Sequence, residues 1–137
     1  VGYSVINRNS NKCLDISAAS AADNAAAIQW SCHGGANQKY KFTPTTSGYY
    51  RMVPQHSGKV LRVSGGSTAN GANVVQTTWA NYNSQQWRPV SVGGGFYKFI
   101  NRNSGKAMEV PGCSTADGTR IQQRTDSNTT CQAFRLQ

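Results

Sequence analysis

Apolar and polar positions alternate over short stretches of this chain: Leu14/Ile16, Leu61/Val63 and Met108/Val110 each flank a single residue. Period two marks a half-buried strand, because successive side chains of a strand point to opposite faces. The three stretches are also equivalent to one another. Displacing the sequence by 47 residues brings it into register with itself twice. Ile6-Asn7-Arg8-Asn9-Ser10 returns as Ile100-Asn101-Arg102-Asn103-Ser104, with Val53-Pro54-Gln55-His56-Ser57 between them. Lys12, Lys59 and Lys106 align, as do Gln29, Gln76 and Gln123, then Gln38, Gln85 and Gln132. Two residues beyond each member of that last set stands an aromatic: Tyr40, Trp87 or Phe134. No copy can bury its own apolar face, so the copies must close on one another.

The breaks between apolar stretches follow the same repeat. Asn70-Gly71 and Asp117-Gly118 predict type I′ hairpin turns, which need positive φ at both central residues, and Asp23-Asn24 is the weaker counterpart. That equivalence decides the Ala-rich run 18–27, which propensity alone makes helical. Its counterparts contain Asn-Gly and Asp-Gly, so a turn-rich connection is predicted instead. Ser47-Gly48 and Gly93-Gly94-Gly95 mark the joints, giving copies over 1–48, 49–95 and 96–137 of one domain. The expectation is all-β: about four short strands per copy, forming a small barrel capped by hairpins with pseudo-threefold symmetry. Tyr40, Trp87 and Phe134 then fall to the core.

Composition narrows the picture. Fourteen Gly, 14 Ser and 12 Asn among 137 residues suit many turns between short strands, and three Leu against ten Val argue against a helical bundle. No apolar run approaches the roughly eighteen residues of a membrane span, so no membrane partner is expected. No charged-then-apolar leader opens the chain. The first residue, Val rather than Met, gives the expectation of a mature protein or a module cut from a longer one. The net charge of +9 divides as +2, +4 and +3 over the copies, without a like-charged run longer than two. Charge so dispersed fits a solvated basic surface better than a nucleic-acid arm, and no nucleic-acid partner is expected.

Several pieces together carry a family resemblance: Asn7 to Lys12, Cys13-Leu14-Asp15-Ile16, Trp30-Ser31-Cys32, Gly34-Gly35-Ala36-Asn37-Gln38, and the Gln-x-aromatic closing each copy. The chain resembles the ricin B-type lectins, whose bacterial form is the family 13 carbohydrate-binding module, over essentially its whole length. The resemblance implies a β-trefoil and non-catalytic sugar binding, often as a module appended to a secreted glycoside hydrolase or polysaccharide lyase. Four cysteines fit it: Cys13 and Cys32 in the first copy, Cys113 and Cys131 in the third. Three connectivities are open. Pairing within copies (Cys13–Cys32 and Cys113–Cys131) is the economical one, each closure being worth roughly 3 kcal/mol on a chain-entropy argument. Without a Cys-x-x-Cys, zinc is a poor alternative; no metal and no cofactor are expected. An even cysteine count suits a secreted, extracellular protein, and a monomer is expected.

The resemblance also implies a site. Asp15 and Asn37 would bind sugar hydroxyls, Trp30 would receive the sugar ring, and Gln38 would close the pocket; His33, beside Cys32, reads from its position either as a further contact or as a solvent-facing loop residue. Gln38 has a second reading, since its recurrence as Gln85 and Gln132 suits a buried structural hydrogen bond. In the second copy Arg62 replaces Asp15, Thr77 replaces Trp30 and Ser84 replaces Asn37. Trp79 and Tyr82 are candidates to rebuild a platform there. In the third, Glu109 keeps a carboxylate beside Gln132, Arg124 replaces Trp30 and Cys131 replaces Asn37, with Gln123 or Asp126 as candidate helpers. The expected order is first copy, third, second. Catalysis is not expected: no His-Glu-x-x-His or Gly-x-Ser-x-Gly occurs. A glycosidase pair of Glu109 with Asp117 would use a residue at the repeat's binding position. Other readings are a free-standing lectin, a protein-binding trefoil, and a basic module whose Arg62 and Arg124 grip a uronate or sulfated polysaccharide. Galactose-, xylose- and arabinose-type ligands stay open.

Overall fold

The structure, a computed structural model, describes residues 2–137; Val1, within the first copy's predicted bounds, lies outside them. The first copy supplies β1 (Val5–Asn7), β2 (Cys13–Ile16), β3 (Ala27–Trp30) and β4 (Tyr40–Pro44). The second supplies β5 (Tyr50–Pro54), β6 (Val60–Val63), β7 (Val74–Thr77) and β8 (Trp87–Gly93). The third supplies β9 (Phe96–Asn101), β10 (Ala107–Glu109), β11 (Gln122–Arg124) and β12 (Phe134–Leu136). The outer strands of the copies make a barrel, with antiparallel pairs β1–β12, β12–β9, β9–β8, β8–β5 and β5–β4. Tyr3 and Tyr40 exchange both backbone hydrogen bonds, at 2.8 and 2.9 Å, and close the ring. A closed ring leaves no edge to aggregate. The hairpins β2–β3, β6–β7 and β10–β11 cap one end. This is the hairpin-capped barrel of pseudo-threefold symmetry that the repeat predicts, and the β-trefoil that the resemblance implies.

The core is built from equivalent positions. Val5/Met52/Phe99, Leu14/Leu61/Met108, Ile16/Val63/Val110, Ala27/Val74/Ile121 and Tyr40/Trp87/Phe134 are all buried and form one cluster with Cys131, against which partly buried residues such as Phe42 and Leu136 pack. Unequal sizes within a triplet, such as Val against Phe, fill a near-symmetric volume with asymmetric chemistry.

Polar clasps hold copy to copy. Gln29 donates from Nε2 to Ser114 O and Ala116 O at 2.8 and 2.9 Å, while its Oε1 accepts from Ser10. Gln76 does the same with Ser20, Ala22 and Ser57, and Gln123 with Ser67, Ala69 and Ser104. Gln123 is therefore consumed as a clasp and does not reach Glu109. The turns differ from expectation. Positive φ occurs at Asn24, Gly71 and Gly118, but not at Asp23, Asn70 or Asp117, the type II pattern rather than type I′. The first turn residue is drawn into a contact between copies: Asp23, Asn70 and Asp117 accept the backbone N–H of Thr78, Thr125 and Ser31 in the adjoining copy. The Ala-rich run contains no α-helix; a 3₁₀ turn at Ser17–Ala19 puts Ala18 and Ala19 at φ 54° and 51°.

Candidate functional site

On β2 the core residues Leu14 and Ile16 point inward, so Asp15 between them points to the opposite face. Cys13 and Trp30 are paired across β2 and β3, and the Cys13–Cys32 disulfide fastens the chain leaving β3. A 3₁₀ turn at Ala36–Gln38 then returns Asn37 and Gln38 beneath Asp15. Asn37 Nδ2 donates to Asp15 Oδ1 at 3.1 Å, and Gln38 Nε2 donates to Asp15 Oδ2 at 2.8 Å. Gln38 also donates to Ser31 O and accepts His33 N–H, and it is fully buried. Its amide is used up inside the protein; it positions the carboxylate. His33 Nδ1 accepts Gly35 N–H at 3.0 Å, which leaves Nε2 as the ring's donor, 3.6 Å from Asp15 Oδ2.

Asp15, Trp30, His33 and Asn37 line one open depression of about 570 Å³, together with Ser17, Ala18, Ala19 and Ile28. Trp30 is 41% exposed, and Gly118 of the third copy borders its ring, where a Cβ would stand 3.8 Å away. Asp15 is 3% exposed. Burial pushes its pKa above the ordinary carboxylate value, against the lowering effects of Gln38, the His33 charge and Asn37. A carboxylate with free lone pairs beside a donor and an exposed indole can accept hydroxyls and receive the C–H face of a sugar. Ser17, Ala18, Ala19 and Ile28 join the site without having stood out in the sequence. Their signal there is indirect: Gly65-Gly66 at the places of Ala18-Ala19 marks a tight turn beside the strand.

The second copy has a different chemistry. Arg62 Nε donates to Ser84 Oγ at 3.0 Å, and its guanidinium lies 4.9 Å from the Tyr82 ring centre. Both line a depression with Gly66, Asn81, Asn83 and Asn103. Tyr82 thus joins Arg62, whereas Trp79 lies in the adjacent depression under Arg51. Lacking a carboxylate partner, Gln85 donates to the Thr77 hydroxyl instead, at 2.9 Å.

In the third copy Glu109 is buried, and Gln122 donates to Oε1 and Gln132 to Oε2, each at 2.9 Å. Gln132 is buried like Gln38 and also donates to Thr125 O. Cys131 and Cys113 stand where Asn37 and Ala19 line the first depression, and their disulfide spans that place. Both disulfides therefore pair within copies. Arg124 is exposed, and Asp126 is ion-paired with Lys98 in a separate depression, away from Glu109. Asp117 is engaged by Ser31 and Lys12. Among the described residues no three His, Cys, Asp or Glu gather as a metal site.

Comparison with known proteins adds to this geometry. Residues 1–77 and 83–137 match the family described as ricin-type beta-trefoil lectin domain-like. No curated protein matches in sequence. Among solved structures, a designed threefold-symmetric protein, ThreeFoil, is 43% identical with a TM-score of 0.97, the match covering 98% of this chain and 96% of that one. An exo-beta-1,3-galactanase from Clostridium thermocellum is 33% identical with a TM-score of 0.96; the match covers 98% of this chain but 29% of the galactanase. A Macrolepiota procera ricin B-like lectin, in complex with lactose, is 19% identical with a TM-score of 0.85 over 99% of this chain and 94% of the lectin, and shares the fold.

Proposed function

Since the chain belongs to the ricin-type β-trefoil lectin family, a family fold that binds carbohydrate, we propose that it binds a galactose-type saccharide without catalysis, through the depression of its first copy. One observation carries this reading: the Asp15 carboxylate, held by Asn37 and Gln38, opens into the same depression as the exposed Trp30 and the Nε2 of His33. Asp15 accepts two sugar hydroxyls, Asn37 and His33 supply further polar contacts, and Trp30 carries the ring. Likeness to part of a β-1,3-galactanase favours a galactan over xylan or arabinan, and favours a module of a larger secreted enzyme over a free-standing lectin. Two disulfides support an extracellular setting.

Isothermal titration calorimetry with β-1,3-galactan oligosaccharides, xylan and arabinan tests the reading. A single shallow pocket is expected to bind a small sugar with a Kd of about 1 mM, near −4 kcal/mol. Asp15→Ala removes most of that binding, because hydrogen bonds to a charged group are worth roughly 1.5–3 kcal/mol each. Binding needs the carboxylate, so it is lost as pH falls, with a midpoint above the ordinary 3.8 because burial raises Asp15. Unchanged affinity in Asp15→Ala would move the site to another copy. No binding to any neutral glycan would overturn the assignment.

A further inference from the structure

Residues 49–95 carry Arg51, Lys59, Arg62 and Arg88 and no Asp or Glu. Beside the depression of Arg62 and Tyr82 lies another, of about 540 Å³, whose lining includes Thr45, Thr46, Arg51, Trp79, Gln86 and Arg102. Asn81 and Asn83 line both, so the two form one groove, and no carboxylate lines either part.

Pseudo-symmetry supplies an internal comparison. The corresponding groove of the third copy has Arg8, Lys98 and Asp126 at the places of Arg102, Arg51 and Trp79. There Lys98 is ion-paired with Asp126 and its charge is neutralised. In the second copy an indole stands in place of the acid, and the Arg51 guanidinium lies 4.0 Å from its ring centre. An aromatic face holds a guanidinium without cancelling its charge. Arg51 enters no ion pair among the described residues, and its Nε is buried without a hydrogen-bond partner. Such an orphaned donor calls for an acceptor. Arg102 is fixed across the groove: Nη1 donates to Thr46 Oγ1 at 2.8 Å and Gln86 Oε1 at 3.0 Å. Its guanidinium lies 4.6 Å from the Tyr49 ring centre.

We infer that the groove where the second copy meets the third is an acidic-saccharide site, in which the carboxylate of a uronate residue sits between Arg51 and Arg102 and a neighbouring acidic residue of the same glycan reaches Arg62. The paired N–H donors of a guanidinium match a carboxylate, and the Thr and Asn side chains of the groove suit ring hydroxyls. Trp79 and Tyr82 each have a face taken by an arginine, which disfavours single-stranded nucleic acid, whose bases need open aromatic platforms. The site shares no residue with the Asp15 depression and does not depend on it.

Calorimetry with an oligogalacturonate, in low and physiological salt, tests the inference on the whole chain. Wild type binds, and more weakly as salt rises. Arg51→Gln, which breaks no hydrogen bond of the fold, weakens binding by roughly tenfold or more, the effect of one charge-assisted hydrogen bond. Arg51→Lys keeps the charge without the fork and falls between. Neutral galactan binding is unchanged in both variants, which also reports an intact fold. Failure of wild type to bind, equal binding by Arg51→Gln, or single-stranded DNA binding as tightly as the uronate overturns the site. Loss of uronate binding in Asp15→Ala would also overturn it, by placing the acid in the first copy.

Discussion

The hydroxyl of Tyr40 is buried in the barrel without a hydrogen-bond partner, and burial, then the Asp15 charge, drive its pKa well above the ordinary phenol value. Its counterparts avoid the problem: Trp87 donates Nε1–H to Leu61 O at 3.1 Å, and Phe134 has no polar atom. A buried unpaired hydroxyl costs roughly 1–3 kcal/mol. Tyr40→Phe, which installs the third copy's residue, is expected to stabilise the protein by about 1 kcal/mol, a thermal midpoint higher by roughly 2–4 °C in circular dichroism. A lower midpoint would mean that the hydroxyl is hydrogen-bonded in solution. At this scale the sequence was informative where residue type alone decides. Asp15 and Trp30 were legible as a carboxylate and an aromatic of one copy, and both line one depression. That Gln38 and Gln132 spend their amides inside the protein was not legible, because Gln presents the same groups whether it faces ligand or backbone.

Each cap hairpin is tied to the adjoining copy as well as to its own, through the buried Gln29, Gln76 and Gln123. The equivalent Gln residues showed their recurrence in the sequence, but not their partners, which lie 54 to 87 residues away. Gln76 is fully buried and donates to the carbonyls of Ser20 and Ala22. Gln76→Ala removes these two hydrogen bonds and the one it accepts from Ser57, each worth roughly 0.5–1.5 kcal/mol net, and opens a cavity. A loss of about 3 kcal/mol is expected in urea denaturation, and a loss under about 1 kcal/mol would show that packing rather than the clasp joins the copies. Turn type was misjudged for a related reason. Asn-Gly and Asp-Gly do signal positive φ, but the side chain of the first residue is recruited by the adjoining copy, and the backbone follows.

At the scale of the molecule, every copy lends its outer strands to a shared barrel and its hairpin to a shared cap, so no copy has a core to itself. A peptide of residues 49–95 is expected to be unfolded by circular dichroism and to give collapsed amide dispersion in NMR, whereas the whole chain unfolds in one transition. A folded isolated copy would refute this dependence. The sequence by itself determined the architecture: a 47-residue period with strand-like alternation and turn-forming breaks admits few folds other than three copies closed around an axis. It determined the core too, since equivalent apolar positions in threefold symmetry must meet. The sequence ranked the first copy ahead of the others, but only the tertiary structure decided which depression stays open. In the third copy Gln122 and the Cys113–Cys131 disulfide stand at the places of Ile28, Ala19 and Asn37, which line the open depression around Asp15 in the first. Between the second and third copies, Arg51 and Arg102, which stand at none of the repeat positions of Asp15, Trp30 or Asn37, converge on one groove. Openness and convergence depend on which side chains face one another across copies, and alignment of a copy with itself carries no trace of that.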